Sequence, residues 1–177
     1  MRPGLLAAAL GLLVLPAAAA RADEAAAMAP FVGAYRYAGG PAELAELDKA
    51  IDSVVGKMNV MVRWIARRKM RTPNVPTKEL ILSVHEGALT VARPGQPTVS
   101  APADGSPVAW KSNDGDAFTV RHGIEGRVVY QRFEGSQSVS VNHLRLSPDA
   151  ASLVVETRVE SRRLPAPLVF HFTYRRR

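Results

Sequence analysis

The chain has 177 residues, no cysteine, and 23 Lys and Arg against 16 Asp and Glu, a formal net charge of +7. Without cysteine it has neither disulfides nor a lipid anchor through a modified cysteine, so burial must hold the fold together. The moderate positive charge suits an ordinary soluble surface or contact with an anionic membrane.

The first residues read as a secretory signal: Arg2, an apolar run from Leu5 to Leu15, then Ala20-Arg21-Ala22 as a small-x-small cleavage site. The run is too short to span a bilayer, which takes about 20 residues. Removing residues 1–22 leaves 155 of the 177 and takes away Arg2 and Arg21, so the net charge falls to +5. A periplasmic or extracellular location is expected. Residues 23–30 form a flexible lead-in, and 31–177 are expected to be one domain, enough chain for a sizeable core.

Phe31 to Tyr37 alternates apolar and small or polar residues, as a short strand does. Gly39-Gly40-Pro41 breaks that pattern, and Pro41 suits the first turn of a helix. A helix is predicted over 41–70, where Leu44, Leu47, Ile51, Val54, Met58 and Ile65 recur at helical spacing. They fall within an arc of roughly 120°, the width of a core-facing stripe. Pro73 and Pro76 stop it, and Gly56 leaves open one helix or two. Acids gather at its start, while Arg63, Arg67, Arg68, Lys69 and Arg71 crowd its end. Such polarity complements the helix dipole, and the basic end also offers a surface for anionic lipid. Nothing interleaves aromatic with basic residues as a nucleic-acid binder does, so no nucleic-acid partner is expected. Val60 and Trp64 lie off the main stripe, either covered by residues 31–37 or free to meet a partner.

From Glu79 to Arg175 short apolar runs alternate with turn signals. Strands are predicted around Leu80–Val84, Leu89–Val91, Val108–Trp110, Phe118–Val120, Val128–Phe133, Val139–Leu146, Leu153–Val159 and Leu168–Tyr174, with Thr98–Ala101 as a further short extended piece. Asn113-Asp114-Gly115 signals a hairpin and Ser147-Pro148-Asp149 a type I turn. Val139 and Val141 are out of phase with Leu144 and Leu146, which predicts a β-bulge near Asn142-His143. The fold class expected is mainly β: an antiparallel up-and-down meander of about eight strands, closed or curled to protect its edges. One amphipathic helix packs on, or caps, its apolar face.

Phe31-x-Gly33-x-Tyr35, the meander, and the closing Phe170-x-Phe172-x-Tyr174-Arg175 strand together resemble lipocalin-like (calycin-type) barrels. That resemblance implies a small apolar molecule carried in the barrel mouth. Tyr35 stands where lipocalins have Trp, and the helix comes before the main strands instead of after the barrel. The helix-then-meander order is also similar to periplasmic lipoprotein carriers, in which helices lid an open half-barrel over an acyl-chain cavity.

Chemistry is sparse. His85, His122, His143 and His171 lack metal-ligand spacing, and only His143, in the suspected bulge, invites inspection. No nucleophile elbow, phosphate loop or dinucleotide fingerprint is present, so no enzyme, cofactor, catalytic residue or metal is expected. An outer-membrane barrel is disfavoured by the amphipathic helix, the few aromatics and the charged Arg175-Arg176-Arg177 end. The expected function is an exported soluble binding protein for a small apolar or acyl ligand held between sheet and helix. Trp110, Phe118, Phe170 and Phe172 would line the cavity, and Val60 and Trp64 would touch a partner. The alternative is a structural or interaction domain whose helix fills the interior completely.

Overall fold

A computed structural model describes Glu24 and residues 26–177; the signal segment over residues 1–22, with residues 23 and 25 of the lead-in, lies outside the described residues. Two helices replace the one expected over 41–70. Helix α1 spans Gly40–Val55 with Pro41 in its first turn and ends at Gly56. Gly56 is a poor helix former, and the Asn59 side chain then accepts a 3.0 Å bond from Met61 N–H, so a new helical start is written right after it. One 3₁₀ turn at Val60–Val62 leads into helix α2, Arg63–Arg71. Arg63 reaches back to the Gly56 and Met58 carbonyls (2.9 and 3.0 Å), satisfying acceptors that the end of α1 leaves open.

Among the described residues ten strands follow or precede them, not eight: β1 Gly33–Tyr37, β2 Glu79–His85, β3 Ala88–Ala92, β4 Val99–Pro102, β5 Val108–Lys111, β6 Ala117–Glu125, β7 Val128–Glu134, β8 Ser138–Leu146, β9 Ser152–Ser161 and β10 Leu168–Arg176. The two beyond eight are β1 and β4, where the short strand over Phe31–Tyr37 and the extended piece over Thr98–Ala101 were expected; β1 pairs with β2 and β10, and β4 with β3. All pairs are antiparallel, in the order β4-β3-β2-β1-β10-β9-β8-β7-β6-β5. Because β1 pairs with both β2 and β10, the start and end of the chain meet and the meander curls into a nearly closed barrel. The one gap among neighbours is between β4 and β5. A single antiparallel bridge between Asp104 and Gly123 and a set of side chains stitch it: Trp110 Nε1 donates to the Thr98 carbonyl (3.1 Å), Asn113 Nδ2 to Gly95 (2.9 Å) and Arg121 to Gly105 (2.9 Å).

The apolar face is the inside. Leu80 and Leu82, Leu89 and Val91, Val129, Leu144 and Leu146, Leu153 and Val155 are all buried there. From α1, Leu47, Ile51 and Val54 join them, so the helix roofs the same core. Each such side chain contributes about 2 kcal/mol of apolar burial.

Strand β8 corrects the expected bulge. Its register with β7 and β9 runs unbroken from Val139 to Leu144 and beyond, so Ser140, Asn142, Leu144 and Leu146 share the inner face. Val139 and Val141 face outward beside His143. The apparent slip arose because two inward positions are polar and two outward ones are Val.

Candidate functional site

At one end of the barrel the inner face is left partly uncovered. Strand alternation points Phe170, Phe172 and Tyr174 of β10, Val155 and Thr157 of β9, and Ser140 and Asn142 of β8 into a common space. The connector Pro73–Thr77 between α2 and β2 lies over it, and Arg93 and Gln96 close its side from the end of β3. This space, open to solvent on one side, has a volume of about 180 Å³. Its aromatic floor is ordered by ring contacts: Tyr37 meets Phe172 at 5.7 Å and Tyr174 at 5.8 Å edge-on, and Phe170 meets Phe172 at 5.3 Å in a tilted pair.

The roof is fixed to the wall by Glu43. Where β1 ends, the Glu43 carboxylate takes over the ladder, accepting from Thr173 N–H at 2.9 Å and Thr173 Oγ1 at 2.6 Å. His171 Nε2 stands 3.7 Å from the same carboxylate. Helix α2 is held to α1 by two ion pairs, Arg67 with Asp52 and Arg71 with Asp48.

Across the inner wall runs a row of polar side chains in register on four neighbouring strands. Thr157 donates to Asn142 Oδ1 (2.9 Å), Asn142 donates to Gln131 Oε1 (3.0 Å), and Gln131 Nε2 lies 2.9 Å from His122 Nε2. Since the amide nitrogen can only donate, His122 Nε2 accepts and its proton resides on Nδ1. Burial is the main force pushing the His122 pKa down to about 4; Arg93 adds to the drop, while the Ala101 and Leu89 carbonyls oppose it. This imidazole is neutral in ordinary conditions. Asn142 and Thr157 end the row on the cavity wall.

The residues singled out from sequence separate into groups. Phe170 and Phe172 line the cavity. Trp110 and Phe118 do not; they pack with Phe133 (centroids 5.5 to 6.4 Å apart) around Val99 and Val120 as a separate cluster near the β4–β5 gap. Val60 and Trp64 are not covered by residues 31–37: they are 70% and 67% exposed, with Met61 at 79% beside them. Of the five basic residues, Arg63, Arg67 and Arg71 hold the two helices together, while Arg68 and Lys69 point from the exposed end of α2. His143 is on the outer face, 3.7 Å from Glu156 and edge-on to Tyr130 at 5.1 Å. No cluster of metal-ligating groups occurs among the described residues.

Sequence reading missed the polar row. Its signal was present: His122, Gln131 and Asn142 each occupy a position in phase with inward apolar neighbours, Val120, Phe133 and Leu144. A second, apolar groove of about 440 Å³ lies outside the barrel between α2 and Arg163-Leu164, lined by Met58, Val62, Ile65 and Met70.

No protein-family model matches the sequence, and no curated protein matches it. Solved structures do share its fold. A fatty acid binding protein of Schistosoma mansoni in complex with arachidonic acid matches with a TM-score of 0.51 at 11% identity, over 85% of this chain and 98% of that one. Lipid binding protein 8 of Caenorhabditis elegans matches at 0.55 and 9% identity, over 85% and 97%. A secretory abundant heat soluble protein of Ramazzottius varieornatus matches at 0.56 and 8% identity, over 84% and 96%. At these identities the likeness shows the fold alone, an antiparallel, nearly closed β-barrel with a helical pair.

Proposed function

We propose that this chain is an exported, non-enzymatic binding protein that holds a small apolar ligand in the barrel mouth, beneath the Pro73–Thr77 connector and against β8–β10. The observation that carries this reading is the aromatic cavity at Phe170, Phe172 and Tyr174, left unfilled by the roofing helices. Structures of the same fold that bind fatty acids support it. The volume of about 180 Å³ is below the 300–1,000 Å³ usual for ligand pockets, so the guest is small. Native mass spectrometry of protein purified from its own host tests the reading: a bound molecule of low mass is expected. Its consistent absence, together with failure of small apolar probes to bind, would leave a packed interaction domain as the better description.

A second surface belongs to the same proposal. Val60, Met61, Trp64 and Ile65 expose a run of apolar side chains, with Arg68 and Lys69 alongside. Apolar side chains flanked by cations suit peripheral contact with an anionic membrane. Flotation with phosphatidylglycerol vesicles should fall at least fivefold in Val60→Ser/Trp64→Ser, with thermal stability within about 0.5 kcal/mol of the parent, as for surface changes generally.

A further inference from the structure

The groove outside the barrel has an apolar floor and a rim of one charge sign. Met58, Val62, Ile65 and Met70 form the floor from the helical side, and Leu164 closes it from the β9–β10 loop. Lys69 and Arg163 stand at the rim, both exposed, and neither Asp nor Glu lines the groove. Among the described residues neither cation makes an ion pair or a side-chain hydrogen bond. Acids on the adjoining elements are already engaged: Asp48 with Arg71, Asp52 with Arg67, and Glu160 with Arg158. Apolar surface and positive charge thus meet at one place, and the chain supplies a partner for neither.

Charge and volume together narrow the occupant. A second copy would bring its own Lys69 and Arg163 to the seam, like charge against like. A neutral apolar molecule would leave both cations unused. An apolar chain with an anionic end matches floor and rim at once. The groove has about 440 Å³, against about 150 Å³ for a cavity that accommodates benzene, so it has room for a chain of about a dozen carbons. Met58 and Met70 are unbranched side chains that adapt to the shape of such a chain.

We propose that this groove is a second ligand site, taking one single-chain anionic lipid as a monomer from solution. Its chain lies against Ile65 and Leu164, and its head group accepts from Lys69 and Arg163. The site is separate from the barrel cavity, whose 180 Å³ is too small for a chain of about a dozen carbons. It also goes beyond membrane contact, because it needs no bilayer.

Calorimetric titration with dodecyl phosphate below its micelle concentration tests the site. Dodecyltrimethylammonium supplies the same chain with the opposite charge, and butyl phosphate the same head with a short chain. The parent should bind dodecyl phosphate at least tenfold more tightly than either. Lys69→Glu/Arg163→Glu should invert the order of the two dodecyl compounds, a result that a merely structural role for these side chains does not produce. Both positions are exposed and unpaired, so the thermal midpoint of the double variant should match the parent's. Equal affinity of the parent for the two dodecyl compounds overturns the proposal, as does dodecyl phosphate binding that the double variant leaves unchanged. Absence of dodecyl phosphate binding overturns it too; vesicle flotation then reports separately on the membrane reading. A parent that is dimeric by light scattering, and monomeric as Leu164→Asp, gives the groove to a second copy and overturns the proposal.

Discussion

His122 shows what a single residue costs when the barrel closes over it. Its imidazole is 1% exposed, with Nε2 accepting from Gln131 and Nδ1 making no hydrogen bond of good geometry. Protonation would place a charge in that setting, hence the pKa near 4. The unfolded chain takes up the proton near 6.5, so between pH 6.5 and 4 the unfolded state binds more protons and stability falls as pH falls. Full stability is present above pH 6.5, and about 3 kcal/mol is lost on reaching pH 4. Denaturant unfolding from pH 7.5 to 4 should show this slope, and His122→Gln should flatten it. Arg176 works at the opposite extreme, as a charged staple. It donates to the carbonyls of Ala150 (2.9 Å), Val32 (2.9 Å) and Pro30 and to the Tyr35 hydroxyl (2.7 Å), with its guanidinium 5.1 Å over the Tyr35 ring. Tyr35 is thus held from the last strand. Arg176→Met should cost roughly 1–3 kcal/mol in denaturant titration, since it removes several charge-assisted hydrogen bonds at once.

At the scale of elements, the helical roof is fastened at few points. Glu43 is the buried one, replacing a backbone partner at the edge of β10. Glu43→Ala should cost about 1–3 kcal/mol and raise amide exchange in α1 more than in β6–β9, because the sheet ladders do not depend on it. The strands were readable from the sequence wherever alternation was clean, as in Leu153–Val159 and Leu168–Tyr174. Alternation failed in β8, where inward Asn142 and Ser140 broke the apolar phase and outward valines imitated a slip. Pairing, which no local window contains, resolved it. The helix break was half legible: Gly56 marked it, but Asn59 as the start of the second segment did not stand out. Val60 and Trp64 read as a choice between cover and exposure, and only the tertiary arrangement shows them bare.

The whole molecule is a roofed barrel whose interior is mostly filled. Aliphatic side chains from both helix and sheet occupy the centre, and space remains under the Pro73–Thr77 connector. The aromatic face of β10 pointed from sequence to that end, since Phe170 and Phe172 line it. Trp110 and Phe118 belong to the seam instead, because β5 lies at the far edge of the sheet order from β4 and no strand ladder joins the two. Arg93 escaped notice because it follows a strand in a Pro-Gly loop, where an arginine ordinarily faces water. Backbone amide NMR mapping during titration with 1-hexanol reads the location of binding most directly. Perturbations should gather at Thr77, Arg93, Asn142, Thr157 and Phe172, within the mouth of the barrel. Perturbations confined to the outer groove at Ile65 and Leu164, or none at saturating 1-hexanol, would contradict a ligand site inside the barrel.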